Sequence, residues 1–406
     1  MLWLFDDYEL DVARFELRKA GHVVHVEPQV FDLLVHLVEH RERVVTKAEL
    51  LDSVWGDRFV GDAAVATRIK AARRAVGDTG ASQRVIRTVH RRGYQFVADV
   101  DVVGEAEPPA EPASSGRRRI SQDIRFSVSA DGVRIAHASI GTGPPLMKAA
   151  NWMTHLDHDV ETDVWSHWLE GLSRHHRLIR YDERGCGMSD WEVDGFCLEA
   201  WVDDLALVAD ATDLGRFPLI GLSQGGAVAA AYAVLNPERV SHLVLWGSYP
   251  RGRLARATTD EQRREAALDI ELARVGWGRD DATFRRVFTS QFLPDASREA
   301  WDEFDQLQRR TTSPENAVRF LEAFARLDVT DIATRVRCPT LILHARDDHR
   351  VPLESARDFA ALIPGSRLVP LPSSNHILTR DEPAWPMFLD EVHRFLDDTA
   401  SGAAPR

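Results

Sequence analysis

The sequence predicts two domains of different fold class, a small α+β domain and then a larger α/β domain with an inserted helical cap. Short apolar segments followed by amphipathic helices occupy residues 1–100. Residues 101–119 are rich in Pro, Ala, Glu and Ser, which is typical of a linker. From residue 120, strands and helices alternate as a parallel sheet requires. We therefore expect domains at 1–100 and 120–398, a cap at about 250–331 and a tail at 399–406.

The composition is that of a globular protein, with 44% hydrophobic and 28% charged residues in a chain of 406. No apolar run approaches the roughly 18 residues of a membrane span, and the N-terminus has no signal-peptide pattern. The three cysteines, Cys186, Cys197 and Cys338, are too scattered for a disulfide framework or a metal cluster. We expect a cytoplasmic protein with no membrane partner, no metal site and no cofactor.

Charge is unevenly distributed along the chain. The net charge is −13, yet residues 58–92 hold nine Lys and Arg residues against Asp62 and Asp78. A basic patch on a domain joined to an acidic one indicates a nucleic-acid partner for the first domain.

The first domain begins with four predicted strands, at 2–5, 8–10, 14–17 and 23–26. Pro28 suits the first turn of a helix, whose apolar stripe is spaced i, i+3, i+4, i+7: Phe31, Leu34, Val35 and Val38. A capping box from Thr46 to Glu49 opens a second helix, which continues through Leu50, Leu51, Val54 and Trp55.

A third helix over 62–76 and a hairpin over 85–97 complete this domain. The helix places an apolar stripe inward: Val65, Ile69, Ala72 and Val76. A basic helix and a basic hairpin describe a winged helix-turn-helix, in which the helix lies in the major groove and the hairpin touches phosphates. The candidate DNA-binding residues are Thr67, Arg68, Lys70, Arg73, Arg74, His90, Arg91 and Arg92.

Three segments of this domain resemble the C-terminal effector domain of OmpR/PhoB-family regulators. They are Val44-Val-Thr-Lys-Ala-Glu-Leu-Leu51, Val54-Trp-Gly56 and Ile86-Arg-Thr-Val-His-Arg-Arg-Gly-Tyr94. The resemblance covers about the first 100 residues and implies double-stranded DNA as the partner. Such folds usually read DNA in pairs, so a homodimer on DNA is a further hypothesis.

The second domain has predicted strands at 124–128, 133–137, 145–150, 176–181, 240–246, 340–344 and 367–370, and a helix at 198–213. Its central stretch is an apolar run that ends in Gly221-Leu-Ser-Gln-Gly225 and passes directly into an alanine-rich helix. This pattern predicts a strand, a sharp strained turn with a serine at its tip, and a helix. Aspartates 347 and 348 and His376 each follow a late strand, where active-site residues of open α/β sheets lie.

The elbow, the chain order Ser, Asp, His, and two further motifs together resemble the α/β-hydrolase superfamily. The further motifs are Asp182-Glu-Arg-Gly-Cys-Gly-Met-Ser189 and Asn236-Pro-Glu-Arg-Val240. The resemblance covers about residues 120–398 and implies Ser223 as nucleophile and His376 as general base. It favours Asp348 over Asp347 as the acid that orients the imidazole, because the acid follows the small residue Ala345 by three positions.

The resemblance also implies an oxyanion hole made by the backbone N–H groups of Gln224 and Trp152. The segment Ala150-Asn-Trp152 departs from the His-Gly pattern of many relatives. Because Asn tolerates the left-handed conformation, we expect the hole to form, with efficient turnover as the open question. Four aromatic residues are candidates either for an acyl pocket or for plain core: Trp152, Trp277, Phe288 and Phe292.

Together the domains predict a one-component transcriptional regulator whose hydrolase domain binds and hydrolyses a small ester, lactone or similar carbonyl compound. Two alternatives stay open. In the first alternative, the second domain is a catalytically idle receptor on a DNA-binding regulator. In the second, the chain is mainly an esterase, and the winged helix is a protein-docking module.

Overall fold

The computed structural model divides the chain into two compact units, Met1–Gly116 and Arg117–Arg406. It describes residues 2–11, 16–19, 21–24, 26, 28–47, 49–50, 62–89, 92–98, 100–103, 120–279 and 281–397. Most of the predicted linker, the Leu51 to Trp55 part of the predicted second helix, and the tail lie outside these residues.

The first unit is built on an antiparallel sheet of five strands. In chain order they are β1 (Leu2–Phe5), β2 (Tyr8–Asp11), β3 (Glu16–Lys19), β4 (His22–Val24) and β7 (Asp101–Val103), arranged β4-β3-β2-β1-β7. Two helices follow the first four strands, α1 (Pro28–Glu39) and α2 (Asp62–Ala75). A separate antiparallel hairpin consists of β5 (Ile86–Val89) and β6 (Gly93–Phe96). This order of strands, helices and a C-terminal hairpin agrees with the predicted winged helix.

Strand β7 corrects the predicted start of the linker, which the sequence analysis set at residue 101. Val102 lies opposite Trp3, and Val103 lies opposite Leu2, at the edge of β1. Pairing with β7 satisfies the backbone groups of β1 that would otherwise form a free sheet edge. The first domain therefore extends at least to Val103.

The core of the first unit has the composition that helical periodicity predicts. Phe31, Leu34 and Val38 of α1 are buried, whereas Val35 is half-buried. All four residues of the inward stripe of the third predicted helix are buried: Val65, Ile69, Ala72 and Val76. The Thr46 hydroxyl accepts a hydrogen bond from the Glu49 backbone N–H at 3.1 Å, as an N-cap should.

The second unit is an eight-stranded sheet in the order β8-β9-β11-β10-β12-β13-β14-β15. The strands are β8 (Gln122–Val128), β9 (Arg134–Ile140), β10 (Pro145–Lys148), β11 (Arg177–Tyr181), β12 (Phe217–Leu222), β13 (Val240–Trp246), β14 (Thr340–Ala345) and β15 (Arg367–Leu371). Strand β9 is antiparallel to both of its neighbours, β8 and β11. The six strands from β11 to β15 in this order are parallel to one another. Every residue of β14 is buried, as expected for a strand covered on both faces.

Helices of the second unit connect these strands or form the inserted cap. The connecting helices are α3 (Leu156–Asp159), α4 (Ser166–Ser173), α5 (Leu198–Ala211) and α6 (Gly225–Leu235). The insertion between β13 and β14 contains α7 (Asp260–Gly276), α8 (Thr283–Phe292), α9 (Arg298–Thr311), α10 (Pro314–Arg326) and α11 (Thr330–Ala333). Helices α12 (Leu353–Leu362) and α13 (Ala384–Asp397) complete the chain. In the part of the chain that the structure describes, no helix combines the length and apolar character needed to cross a membrane.

Candidate active site

The predicted elbow joins β12, in the middle of the sheet, to α6, and Ser223 lies at its tip. Ser223 has φ of +52°, a left-handed conformation that non-glycine residues rarely adopt. Its backbone N–H donates to the Trp246 carbonyl at 2.9 Å, which ties the turn to the neighbouring strand. A Cβ at Gly221 would lie 2.6 Å from the Gly226 Cα, and a Cβ at Gly225 would lie 2.5 Å from the Ala150 carbonyl oxygen. The glycines are therefore required by close backbone approach.

His376 lies in the loop after β15, where one ring contact and two backbone contacts hold it in place. Its Nδ1 lies 2.7 Å from Asp348 Oδ2, and its backbone carbonyl accepts a hydrogen bond from the Trp246 indole N–H at 2.8 Å. Its backbone N–H donates to the Phe292 carbonyl of the cap at 2.9 Å. With the proton placed on Nδ1, facing the carboxylate, Nε2 is available as a base.

Asp348 is buried, whereas the alternative acid Asp347 is exposed. Its Oδ1 accepts two backbone N–H groups at 2.8 Å each, from Arg350 and Val351. Burial opposes ionisation of the Asp348 carboxyl, but the nearby His376 and the hydrogen bonds outweigh it and hold its pKa below the usual value. The carboxylate is therefore charged and fixed in position opposite the imidazole.

Ser223, His376, Gln224 and Trp152 line one cavity between the sheet and the cap, with about 820 Å³ of space between atoms, including the open mouth. Most of its wall is aromatic or aliphatic: Trp165, Trp168, Leu222, Trp246, Ile270, Phe292, Leu321 and Phe324. Of the four aromatic candidates for an acyl pocket, Trp152 and Phe292 line it. Trp277 stacks on Trp152 at 5.1 Å between ring centroids, and Phe288 packs edge-on against Trp277.

The loop that carries Trp152 differs from our expectation in its backbone. We expected Asn151 to supply a left-handed residue, but the left-handed residue of this loop is Met153, with φ of +67°. The Asn151 side chain instead accepts a hydrogen bond from the Lys148 ammonium and donates to the Trp152 carbonyl at 3.2 Å. Side-chain hydrogen bonds thus hold the loop in shape.

The basic face of the first unit is smaller than the sequence predicted. Thr67, Lys70 and Arg74 on α2 are exposed, Arg68 is half-buried and Arg92 of the hairpin is exposed, whereas His90 and Arg91 lie outside the described residues.

Arg73 requires a correction, because it is buried against the hairpin, with 8% exposure, and does not lie on the outer face. Its guanidinium donates to the Ile86 carbonyl at 3.0 and 2.7 Å and to the Thr88 hydroxyl at 2.8 Å.

Comparison with known proteins now identifies both units. A family model described as the alpha/beta hydrolase fold matches residues 159–383. The chain belongs to the α/β-hydrolase family. A second family model, described as the C-terminal domain of transcriptional regulatory proteins, matches residues 21–96. The chain therefore fuses a DNA-binding regulator domain of the OmpR/PhoB type to an α/β-hydrolase domain.

Relatives of the hydrolase domain are distant serine hydrolases. The 2-hydroxy-6-oxo-2,4-heptadienoate hydrolase of Pseudomonas putida is 31% identical over 273 residues, which cover 61% of this chain and 88% of that protein. The esterase from Exiguobacterium antarcticum is 26% identical with a TM-score of 0.54, covering 68% of this chain and 97% of that one. The enol-lactonase from Burkholderia xenovorans shares the fold, with a TM-score of 0.57 at 20% identity over 67% of this chain and 100% of that one.

Two buried ionisable groups near the loop that carries Trp152 were missed by sequence reasoning. Burial lowers the pKa of Lys148 to about 8 and raises the pKa of Glu183 to about 8. The Gln224 side-chain amide lies 3.4 Å from a Glu183 carboxyl oxygen. The signals in the sequence are a lysine at the end of the apolar run Pro145-Leu-Met-Lys148 and the position of Glu183 within the Asp182 to Ser189 motif.

One cluster in the described part of the regulator domain has the composition of a metal site, although we expected none. His36, His40 and Glu49 bring three potential ligand atoms within 4.8 Å of one another. Glu49, however, forms a two-pronged ion pair with Arg43, one contact being 2.8 Å, and this arginine lowers the pKa of the carboxyl to about 2. The Glu49 carboxylate of this cluster is therefore bound by Arg43.

Proposed function

We propose that this chain is a one-component transcriptional regulator whose hydrolase domain binds and hydrolyses a small ester, lactone or similar carbonyl compound. The observation that carries the proposal is that Ser223 and His376 line one apolar cavity while His376 contacts Asp348 at 2.7 Å. An esterase among the solved relatives, at 26% identity, agrees with ester substrates.

In the proposed reaction, His376 Nε2 accepts the proton of the Ser223 hydroxyl as its oxygen attacks the substrate carbonyl carbon. The backbone N–H groups of Gln224 and Trp152 stabilise the negative charge that develops on the carbonyl oxygen. The protonated His376 then gives its proton to the leaving alkoxide. Water, deprotonated by His376, then attacks the acyl carbon. The bond from that carbon to Ser223 Oγ breaks, His376 returns the proton to Oγ, and the acid is released. Asp348 orients the imidazole and stabilises its positive charge throughout.

Hydrolysis is tested with 4-nitrophenyl esters of short fatty acids and the full-length chain. Wild type should release 4-nitrophenol, and Ser223→Ala should abolish the release. Asp348→Asn should lower kcat by about three to four orders of magnitude, because it disfavours the required tautomer of His376. Asp347→Asn is the matched control, since its carboxyl is exposed, and it should retain wild-type turnover. Equal losses in the two aspartate variants would remove Asp348 from the proposed triad.

The idle-receptor alternative draws on Asn151, whose side chain binds Lys148 in a loop where many relatives have His-Gly. This alternative predicts ligand binding without product release in both wild type and Ser223→Ala. An acyl adduct on Ser223 after incubation with cell extract, detected by mass spectrometry, would exclude it.

We further propose that the regulator domain contacts DNA through Thr67, Arg68, Lys70 and Arg74 of α2 and through the next candidates in the sequence, His90, Arg91 and Arg92. The regulator would bind its operator as a dimer. Arg73 is left out, because its guanidinium is bound within the domain.

Fluorescence anisotropy with DNA duplexes from the region upstream of the protein's own gene tests DNA binding. Arg68→Ala combined with Arg74→Ala should weaken binding and reduce the salt dependence. Arg357→Ala, an exposed ion-paired arginine of the hydrolase domain, is the control. Absence of DNA affinity at low salt would favour the docking-module alternative. Light scattering of the complex reports how many protein chains bind each duplex.

A further inference from the structure

One part of the cavity wall is charged, in contrast to the aromatic remainder. Arg253 and Arg256, from the segment between β13 and α7, line it together with Arg350, which follows β14. The acidic residue of this wall is Asp269 on α7. Three arginines and one aspartate therefore line the cavity that Ser223 also lines.

Asp269 forms ion pairs with two of these three arginines. Its Oδ2 accepts from both the Arg253 and Arg350 guanidinium groups, the latter at 2.7 Å. Burial opposes ionisation of the Asp269 carboxyl, but the two arginines outweigh it and keep its pKa below the usual value. Arg350 also donates to the Gln291 side chain at 2.6 Å and lies over the Phe292 ring. Arg350 therefore links the segment after β14 to the cap, and Arg253 is bound within the inserted segment.

Arg256 is arranged differently, because among the described residues it forms no ion pair with a carboxylate. Its guanidinium has two long contacts, with the Arg251 carbonyl at 3.4 Å and the Ser355 hydroxyl at 3.5 Å. It is half-buried, with its Cζ 6.0 Å from the centre of the Tyr249 ring. Burial, with Arg253, Arg350 and Arg251 nearby, lowers its pKa from the ordinary value, as expected for a cation whose charge is not compensated.

A hydrogen-bond donor lies beside this uncompensated cation. Tyr249 lines the same cavity and is 9% exposed. Burial raises the pKa of its phenol to about 12, so the hydroxyl carries its proton at neutral pH. A planar guanidinium and a phenol donor next to an apolar wall form a suitable site for one carboxylate group attached to an apolar chain.

We infer that the ligand of the hydrolase domain is an anion, a carboxylate-bearing ester or lactone, whose free carboxylate binds Arg256 and Tyr249 while its carbonyl faces Ser223. This inference rests on the proposed function and names the substrate class of that same cavity. The excess of two positive charges on the wall excludes cationic ligands, and it makes neutral esters of the same size poorer substrates.

A pair of isosteric substrates that differ only in charge tests the inference. We would compare the 4-nitrophenyl monoester of adipic acid with the corresponding neutral monoamide ester, using the full-length chain. Wild type should prefer the anionic ester in kcat/KM by about tenfold to a hundredfold, the range of one charge-assisted hydrogen bond. The preference should appear mainly in KM, because the carboxylate is bound equally in the ground and transition states.

Variants of two neighbouring arginines localise the effect. Arg256→Gln should reduce the ratio of the two kcat/KM values to near one, and Arg256→Lys should restore part of it. Arg251→Gln is the matched control, because its guanidinium pairs with Asp358 and does not line the cavity. A wild-type ratio of one or below, or a ratio that Arg256→Gln leaves unchanged, would overturn the inference while leaving the proposed hydrolysis intact.

A binding measurement separates failure of the inference from failure of the proposed hydrolysis. If wild type cleaves neither ester, tryptophan fluorescence of wild type and Arg256→Gln is titrated with 6-phenylhexanoate and with 6-phenylhexanamide. Tighter binding of the carboxylate in wild type, lost in Arg256→Gln, supports the anionic ligand although hydrolysis has failed. Equal binding of acid and amide overturns it.

Discussion

Replacement of Arg73 by alanine should destabilise the hairpin of the regulator domain, whereas replacement of the adjacent Arg74 should not. Arg73 donates to the Ile86 carbonyl and the Thr88 hydroxyl, so Arg73→Ala leaves two acceptors without their charged donor. Taking roughly 1.5 kcal/mol for each acceptor, the low end for hydrogen bonds to a charged group, the cost is about 3 kcal/mol. A cost of this size raises the equilibrium constant for opening of the hairpin by roughly a hundredfold.

Hydrogen exchange followed by mass spectrometry on the full-length chain is the assay, because it reports each segment separately. Amides of 86–96 should exchange more than roughly a hundredfold faster in Arg73→Ala, while amides of the hydrolase sheet should not change. Arg74→Ala should retain wild-type protection, since its side chain is exposed, and should lose DNA affinity instead. Wild-type protection in Arg73→Ala, or equal losses in both variants, would refute the structural role of Arg73.

Two further predictions concern the hydrolase domain. Gly225→Ala should lower turnover at least about tenfold, because the added Cβ would lie 2.5 Å from the Ala150 carbonyl oxygen and displace the loop that carries Trp152, whose position affects the rate. Gly215→Ala is the control in the 4-nitrophenyl ester assay, since a Cβ there has open space around it. Equal turnover in the two variants would contradict this account. Glu183→Gln should change the pH dependence of stability, because burial raises the Glu183 pKa to about 8 and the folded state therefore holds a proton that the unfolded state releases above pH of about 4.5. Between about pH 5 and 8, the urea unfolding free energy of wild type should fall relative to that of Glu183→Gln by about 1.36 kcal/mol per pH unit, and parallel curves would count against the buried neutral acid.

The fold class of both domains was predictable because it depends on local patterns. The elbow follows from an apolar strand, the two glycines around Ser223 and an alanine-rich helix, which all lie within 15 residues. The stripe of α2 follows from helical spacing, and all four of its predicted inward residues are buried. The family comparisons confirm the fusion of a regulator domain and a hydrolase domain.

The same local patterns were insufficient at the boundaries of the predicted surfaces. Arg73 was predicted as a DNA-binding residue together with its basic neighbours, yet its guanidinium is bound to the Ile86 carbonyl of the hairpin. Asp101–Val103 was assigned to the linker because the residues after it are rich in Pro and Glu. Each of its residues pairs with a residue of β1 that lies 97 or more positions earlier in the chain, so no local pattern reveals the pairing.

By itself, the sequence determined the two folds, the elbow with Ser223 at its tip, and the candidate acid and base, because each is recorded in a few adjacent residues or in their order along the chain. Only the tertiary structure decided which arginine of α2 is buried and which charges line the cavity. Those properties depend on contacts between segments far apart in sequence, such as Arg350 with Asp269 and Arg73 with Ile86. The strength of a hydrogen bond or an ion pair depends on this spatial proximity and on burial, and spacing along the chain reveals neither.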